Sequence, residues 1–235
     1  GAFGGNISTS GTLAVTGAST LTGNTTVSGT LQVGVDGTTA GLIRFMDSGS
    51  VTEEATISSD ANGGLIFGGN SGPGELIFKT NSGTEHMRIN AIGAVTKPLQ
   101  PAFLAIPSSS QSNFAVGSNV TVVFDTEIFD QNADFASNTF TAPVTGRYQL
   151  QTSLRVQSLD SASAYYFIII KTSNRQYINI LDPDFGQDNT HFTFTQAALA
   201  DMDANDTAYI AIYQANGAVQ TDINNDSSFS GYLVA

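Results

Sequence analysis

The run Tyr165-Tyr166-Phe167-Ile168-Ile169-Ile170 places six apolar residues in succession, all of them aromatic or β-branched types that favour strands. A short run that is apolar on both faces predicts a β-strand covered on both sides. In a single β-sandwich one face of each sheet commonly meets water. We therefore expect a neighbouring subunit to cover the second face of this strand.

Similar short apolar runs continue on both sides of this strand through the second half of the chain. All seven tyrosines lie after residue 100, and no stretch longer than 196–201 shows helical spacing. Regularly spaced short strands predict an all-β domain, either a two-sheet sandwich or a jelly roll. The predicted strands are 102–106, 112–116, 120–129, 147–157, 163–173, 176–181, 191–199, 207–215 and 228–234.

The first 35 residues form a sequence repeat without any charged side chain. Glycine recurs every six residues at 5, 11, 17, 23 and 29, and aliphatic residues fall on alternate positions between them. Alternation predicts strands, but seven aliphatic side chains are too few for a core of their own. We expect three chains to wrap one apolar axis as an intertwined β-fibre shaft; a disordered linker is the alternative.

Residues 36–97 lose the six-residue period but keep short strand patterns at 42–46, 65–67, 76–78 and 87–89. The motif Lys97-Pro98-Leu99-Gln100-Pro101 then predicts an extended connector, because proline disfavours continuation of the neighbouring elements. The predicted organisation is a shaft at 1–35, a collar at 36–97, a linker at 98–101 and a head at 102–235. Since the chain opens with Gly1 and no basic leader, we expect it to be part of a longer protein.

Composition excludes several functions. Eight Lys and Arg against twenty Asp and Glu give a formal charge of −12, which disfavours nucleic acid and anionic membrane surfaces as partners. Without Cys there is no thiol nucleophile or disulfide framework. No apolar run approaches the ~20 residues of a membrane span.

Catalytic patterns are also missing. The only two histidines, His86 and His191, fall in different predicted domains, and no Gly-x-Ser-x-Gly motif occurs. The stretch 201–206 starts like a calcium loop but lacks its glycine and its final glutamate, so we interpret it as a turn. Asp182 and Asp184 could serve as the pair of carboxylates that glycoside hydrolysis needs. Our prediction is nevertheless that the chain is not an enzyme.

Two segments resemble known families. Residues 75–90, ELIFKTNSGTEHMRIN, resemble a segment common in bacteriophage tail fibres, and the hexads resemble tail-fibre shaft repeats. In the second half, residues 101–105 (PAFLA), 122–126 (VVFDT), 139–148 (TFTAPVTGRY) and 229–233 (FSGYL) resemble the globular head of complement component one q. The second resemblance implies a tumour-necrosis-factor-like jelly roll and a compact trimer, in agreement with the three-fold shaft.

Loops 158–162, 182–190 and 216–226 should meet at the far end of such a jelly roll, because consecutive strands alternate in direction. These loops are rich in Asp and Asn and contain neither Lys nor Arg, so a trimer would gather many carboxylates at one tip. Such a tip could bind sugar hydroxyls or attract cations. The candidate receptor-binding residues are Asp160, Asp182, Asp184, Phe185, Asp188, Asn189, Asp222, Asn224 and Asp226; Ca²⁺ at the tip is a weaker possibility, and ordinary polar loops are the alternative.

Together these patterns predict the homotrimeric tip of a phage tail fibre. It would adhere to a bacterial surface receptor, preferably a glycan and otherwise a protein, and join upstream tail-fibre or baseplate proteins. We expect it in the virion, outside the cell, after synthesis in the host cytoplasm. The alternatives are a trimerisation cap with recognition elsewhere, a polysaccharide depolymerase and a secreted bacterial adhesin.

Overall fold

The computed structural model describes residues 42–46, 53–59, 65–68, 74–80 and 82–235. Every regular element in these residues is a β-strand, which confirms the all-β prediction. The chain divides into two compact units, Gly1–Gly74 and Glu75–Ala235. The hexad repeat and the predicted fibre shaft lie outside the described residues, and the boundaries of the four predicted segments stay predictions.

Two small antiparallel sheets precede the head domain. The first has the order β1-β2-β3 and the second has the order β4-β5-β6. Tight turns with glycine at positive φ connect the strands of the second sheet, Gly83 at 82° and Gly93 at 84°. Their strands are β1 (Leu42–Met46), β2 (Glu53–Ser59), β3 (Leu65–Gly68), β4 (Leu76–Lys79), β5 (Glu85–Ile89) and β6 (Val95–Thr96).

The head consists of two antiparallel sheets. One has the order β10-β11-β16-β13-β14 with β8 beside β16, and the other has the order β15-β12-β18-β7-β9 with β17 beside β12. This arrangement is the predicted jelly roll. Its strands are β7 (Ala102–Ile106), β8 (Val120–Thr121), β9 (Thr126–Asp130), β10 (Phe135–Ala136), β11 (Thr139–Thr141), β12 (Gly146–Leu159), β13 (Tyr165–Thr172), β14 (Gln176–Leu181), β15 (Asn189–Met202), β16 (Thr207–Ala215), β17 (Asp222–Ile223) and β18 (Ser228–Leu233).

Aromatic side chains from four strands meet between the two sheets. The ring of Phe103 stacks on Phe135 and Phe140, with centroids 4.8 and 4.9 Å away, and meets Phe229 edge-on at 4.9 Å. All four rings are buried, and such pairs add to the stabilisation from buried area. The sequence blocks that carry the resemblance to a jelly-roll head therefore supply its core.

The TFTAPVTGRY segment forms β11, a turn and the start of β12. Tyr148 is fully buried at its end, and its hydroxyl donates to the carbonyl oxygen of Val144 at 2.7 Å. Burial raises the pKa of this tyrosine above its ordinary value. The hydrogen bond satisfies a buried hydroxyl and holds the turn against the strand that follows it.

Strand β13 has two apolar faces, as its sequence predicts. Tyr166, Ile168 and Ile170 enter the core, while Tyr165 and Phe167 are half-buried on the other face. Their rings lie 4.6 Å apart and both stack with Tyr213 of β16, at 6.0 and 5.8 Å. Tyr213 lies on the same face, so three aromatic rings of this chain form the outer surface of the sheet there, and its cover by a neighbouring subunit stays a prediction.

Two predicted strands differ from the structure. Residues 112–116 form a loop, in which Asn113 adopts a positive φ of 61° and Phe114 is buried. Residues 120–129 form two strands, β8 and β9, that belong to opposite sheets. Apolar side chains of both segments are buried in the core, although neither segment forms one continuous strand. The apolar pattern alone does not distinguish a buried loop from a buried strand.

The sandwich has two distinct ends, set by the direction of β12. At its start, Arg147 N donates to the oxygen of Ala235 at 2.8 Å, and Leu233 N donates to the oxygen of Pro101 at 3.0 Å. Both termini of the head therefore lie at this end. The opposite end, at Leu159, carries the loops that follow β12, β14 and β16 and is called the loop end below.

Candidate functional site

The three acidic loops meet at the loop end. Ser161, after β12, donates from its backbone N and from its hydroxyl to Asp188 Oδ1, at 2.9 and 2.7 Å. Asp160 Oδ2 accepts from the backbone N of Ala218 at 2.6 Å and of Val219 at 2.8 Å. The loop after β12 therefore joins the other two, as the alternation of strand directions predicts.

Asp160 lies inside this loop cluster, with 2% of its surface exposed. Its Oδ1 accepts from Ala162 N at 2.8 Å, so both oxygens are occupied by backbone donors. Gly217 has a φ of 94°, and a Cβ at that position would collide with Asp160 Oδ2. The carboxylate is thus a structural tie between loops, which removes Asp160 from the exposed candidate residues.

A chain of buried polar groups continues from this tie. The hydroxyl of Tyr166 accepts from Asp160 N at 2.9 Å and lies 3.0 Å from the Thr221 hydroxyl, which also bonds Gln214 Oε1 at 3.0 Å. Gln214 Nε2 donates to the oxygen of Val219 at 2.7 Å. Buried polar groups that are all satisfied favour one arrangement of the surrounding backbone, so this chain holds the loop end in a defined shape.

Asp188 is exposed but bonded. The two hydrogen bonds from Ser161 hold the pKa of the Asp188 carboxyl below its ordinary value, because they stabilise the charged form. Asn189 begins β15 opposite Leu159 and is half-buried. These two residues fix the base of the 182–190 loop.

A cation from outside the loops pairs with the loop before β18. Arg155, on β12, pairs with the Asp226 carboxylate, and its backbone oxygen accepts from Asn224 N at 2.8 Å. Asp222 Oδ1 accepts from the backbone N of Asn113 at 2.7 Å. The tip is therefore less negative than its Asp count implies, because a strand residue outside the loops neutralises one carboxylate.

Asp182, Asp184 and Phe185 form the most accessible part of the cluster. Both carboxylates are exposed, and 43% of Phe185 is exposed. One side of its ring stacks on Phe192 of β15, with centroids 5.9 Å apart. The exposed part of the ring is an apolar surface on the same loop as the carboxylate oxygens of Asp182 and Asp184. This combination can accept hydrogen bonds from hydroxyl groups and pack against an apolar face of the same ligand.

A fourth loop, residues 107–119, also reaches the loop end. Gln111 pairs with Ile223 through two backbone hydrogen bonds of 2.8 Å, and Phe114 N donates to the oxygen of Thr221 at 3.0 Å. The apolar residues Phe114 and Val116 fall in the predicted strand 112–116, which is why this loop was not predicted from the sequence. Its turn-forming Gly117-Ser118-Asn119 was the signal that could have identified it.

Two cavities, of about 370 and 220 Å³, lie at the end that holds both termini. Within the described residues, no group of three or more His, Asp or Glu side chains is placed to hold a metal ion. The calcium prediction depends on carboxylates from several subunits and stays a prediction. In the described part of the chain, no helix is long and apolar enough to cross a membrane.

The sheets, the aromatic core and the clustered loops define a jelly-roll head domain. The C1q domain profile matches residues 102–234, and the chain belongs to the C1q domain family. Domains of this family are binding or structural domains, typically extracellular and homotrimeric. No curated protein matches the chain in the sequence comparison.

Solved structures similar to this chain include two globular heads. The globular domain of zebrafish complement 1qA is 17% identical and covers 58% of this chain and 98% of its own, with a TM-score of 0.44. Murine APRIL at pH 8.0 is 10% identical and covers 57% of this chain and 99% of its own, also with a TM-score of 0.44.

Proposed function

We propose that this chain is the tip of a homotrimeric phage tail fibre whose head adheres to a glycan on the bacterial surface. The observation that carries the proposal is the exposed surface of Asp182, Asp184 and Phe185, at the end of the head remote from its termini. A stalk joined at the terminal end would present this surface outward. The resemblance of 75–90 and of the hexads to tail-fibre sequences supports the phage origin.

Three copies make weak sites effective. C1q-type domains are typically homotrimers, and three sites on one rod gain avidity through effective concentration, without any new contact. Glycan sites of this kind need no deep pocket, and the exposed loops offer acceptors beside an aromatic ring. The fibre would join upstream tail-fibre or baseplate proteins and reside in the virion after synthesis in the host cytoplasm.

The chain would act by binding and not by catalysis. C1q-type domains are binding or structural domains, and the exposed carboxylates Asp182 and Asp184 stand together on one loop. Incubation of the chain with host polysaccharide should produce no new reducing ends. Their appearance would favour the depolymerase alternative.

Host-cell binding by the purified, labelled chain tests the proposal. Asp182→Ala with Asp184→Ala should reduce binding at least tenfold, because it removes the exposed acceptors. The matched control, Glu127→Ala with Asp203→Ala, removes the same charge from β9 and from the turn after β15, and should bind like the wild type. Phe185→Ala alone should weaken binding to a smaller extent.

A trimerisation cap is the second candidate function, supported by the homotrimers that C1q-type domains typically form. In that case the head would hold three chains together while recognition lies elsewhere. A trimeric chain that binds neither host cells nor a glycan array would favour the cap and contradict adhesion. Equal binding by the Asp182/Asp184 variant and its control would contradict the site.

A further inference from the structure

We propose that the stalk sheet, β4 to β6, packs its apolar face against the same face of other copies of this chain. This inference rests on the trimer of the proposed function and adds a second contact surface outside the head. The partner that covers residues 76–96 is then another copy of the same chain.

The strand register places five apolar residues on one face of the stalk sheet. Leu76 lies opposite Ile89, which lies opposite Val95 in the next strand, and Phe78 lies opposite Met87. Side chains of alternate residues share a face of a sheet. All five residues of the face, Leu76, Phe78, Met87, Ile89 and Val95, are uncharged and large.

Two of the three charged residues in the strands of this sheet, Glu85 and Arg88, pair with each other. Arg88 Nε donates to Glu85 at 2.9 Å, and Arg88 Nη2 reaches the second oxygen of Glu85 at 2.5 Å. A further pair joins Arg88 to Glu75. Arg88 is opposite Ile77 and Thr96 in the register, and thus on the other face from Ile89. Lys79 and Arg88 thus lie on the face opposite Phe78 and Ile89, and Glu85, beyond a shift in the register, turns its carboxylate to Arg88.

This face is partly exposed: Leu76, Met87 and Ile89 are half-buried, whereas its other two residues are exposed. Phe78 is 48% exposed and Val95 is 56% exposed. The stalk sheet belongs to the same compact unit as the head, yet the hydrophobic cluster described for the head contains none of the five residues. A three-stranded sheet of this size gains stability by covering its hydrophobic face, and a contiguous exposed apolar surface commonly marks an interaction site.

A second copy fits this surface better than a different partner. In a chain of net charge −12, most contacts between copies bring like charges together, which is unfavourable. The stalk sheet avoids this because its face carries no charge. Phe and Met are enriched at interface cores, and a trimeric head would hold the three sheets at high effective concentration.

The preceding sheet also exposes large apolar side chains, but on both faces of β3, where Ile66 is 43% exposed. Leu65 and Phe67, at alternate positions of β3, are 66% and 55% exposed, and Phe67 lies opposite the half-buried Ile57 of β2. Two successive three-stranded sheets thus each expose large apolar side chains, as expected of a stalk whose segments meet copies of themselves.

Disulfide trapping in the full chain tests the proposal, because the chain has no native Cys. Val95→Cys and Met87→Cys each place one thiol on the apolar face, and Thr96→Cys places one on the opposite face as the matched control. Under mild oxidation, the two face variants should give disulfide dimers on a non-reducing denaturing gel. The control should stay monomeric on that gel. Since one thiol per chain can link only two of three copies, dimers should hold at most two-thirds of the chains.

The outcomes separate this inference from the proposed function. If the chain sediments as a trimer and binds host cells but neither face variant forms disulfides, the inference is overturned and adhesion stands. Equal trapping of Thr96→Cys, or dimers that hold nearly all chains, also overturns it. A chain that sediments as a monomer would instead contradict the trimer of the proposed function.

Discussion

Replacing Asp160 by alanine should destabilise the head, although this residue lies in a loop. The change removes the acceptor of three backbone N–H groups, those of Ala162, Ala218 and Val219, at 2.8, 2.6 and 2.8 Å. A buried donor left without an acceptor costs about 1–3 kcal/mol. These three donors are partly buried, so the lower limit applies and the expected loss is about 3 kcal/mol.

The isosteric variant refines this expectation. Asp160→Asn keeps one accepting oxygen but turns its NH₂ group toward backbone donors, so it should lose about half as much as Asp160→Ala. The exposed Asp182 provides the matched control, and Asp182→Ala should change the free energy of unfolding by less than about 0.5 kcal/mol. The order of stability should be wild type and Asp182→Ala first, then Asp160→Asn, then Asp160→Ala.

Urea unfolding followed by circular dichroism measures these differences, at one protein concentration because the unfolding of an oligomer depends on it. A loss of about 3 kcal/mol corresponds to a decrease of about 6–12 °C in Tm for a chain of this size. Faster hydrogen exchange at Ala218 and Val219 would locate the damage. If Asp160→Ala unfolds like the wild type, the tie between the loops does not have the role inferred here.

Three further perturbations test other parts of the structure. Gly231→Ala should cost about 2 kcal/mol in urea unfolding, because a Cβ there would meet Leu150 Cδ2 at 2.7 Å and Phe103 Cε1 at 2.8 Å; unchanged stability would contradict the packing of β18. Ser161→Ala should raise the pKa of Asp188 toward 3.8 in an NMR titration. Folding lowers this pKa, so the ionised carboxylate stabilises the head above pH 3.8 and this contribution is lost at lower pH; an unchanged pKa would contradict the Ser161 contact. If calcium binds the trimer tip, a chelator should lower the Tm, and an unchanged Tm would count against calcium.

The two small sheets before the head illustrate what local pattern predicts well. The strands at 42–46, 76–78 and 87–89 were predicted from short apolar runs between glycine and asparagine turns, and the structure contains β1, β4 and β5 there. These elements depend on alternation and on turn residues a few positions apart. The strand β2 was missed, because its sequence EEATISS has a single aliphatic position between polar residues.

The candidate site shows the limit of such patterns. The sequence predicted which loops share an end, because strand direction alternates, but it treated all six Asp residues as exposed and equivalent. The structure buries Asp160 and pairs Asp226 with Arg155, a residue 71 positions away. Partners so far apart in the chain produce no periodic pattern in the sequence. From the sequence alone, Arg155 is indistinguishable from any polar residue that faces outward from β12.

The sequence by itself determined the all-β class, because alternation depends on side-chain type along single strands, and its resemblance to the head of complement component one q implied the jelly roll. Only the tertiary structure decided which acidic residues remain accessible, that residues 107–119 join the loop end, and that Phe78 and Val95 of the stalk sheet stay exposed. The physical reason is that burial and hydrogen bonding of a loop carboxylate depend on backbone donors from other loops. Those donors come together only when both sheets have closed.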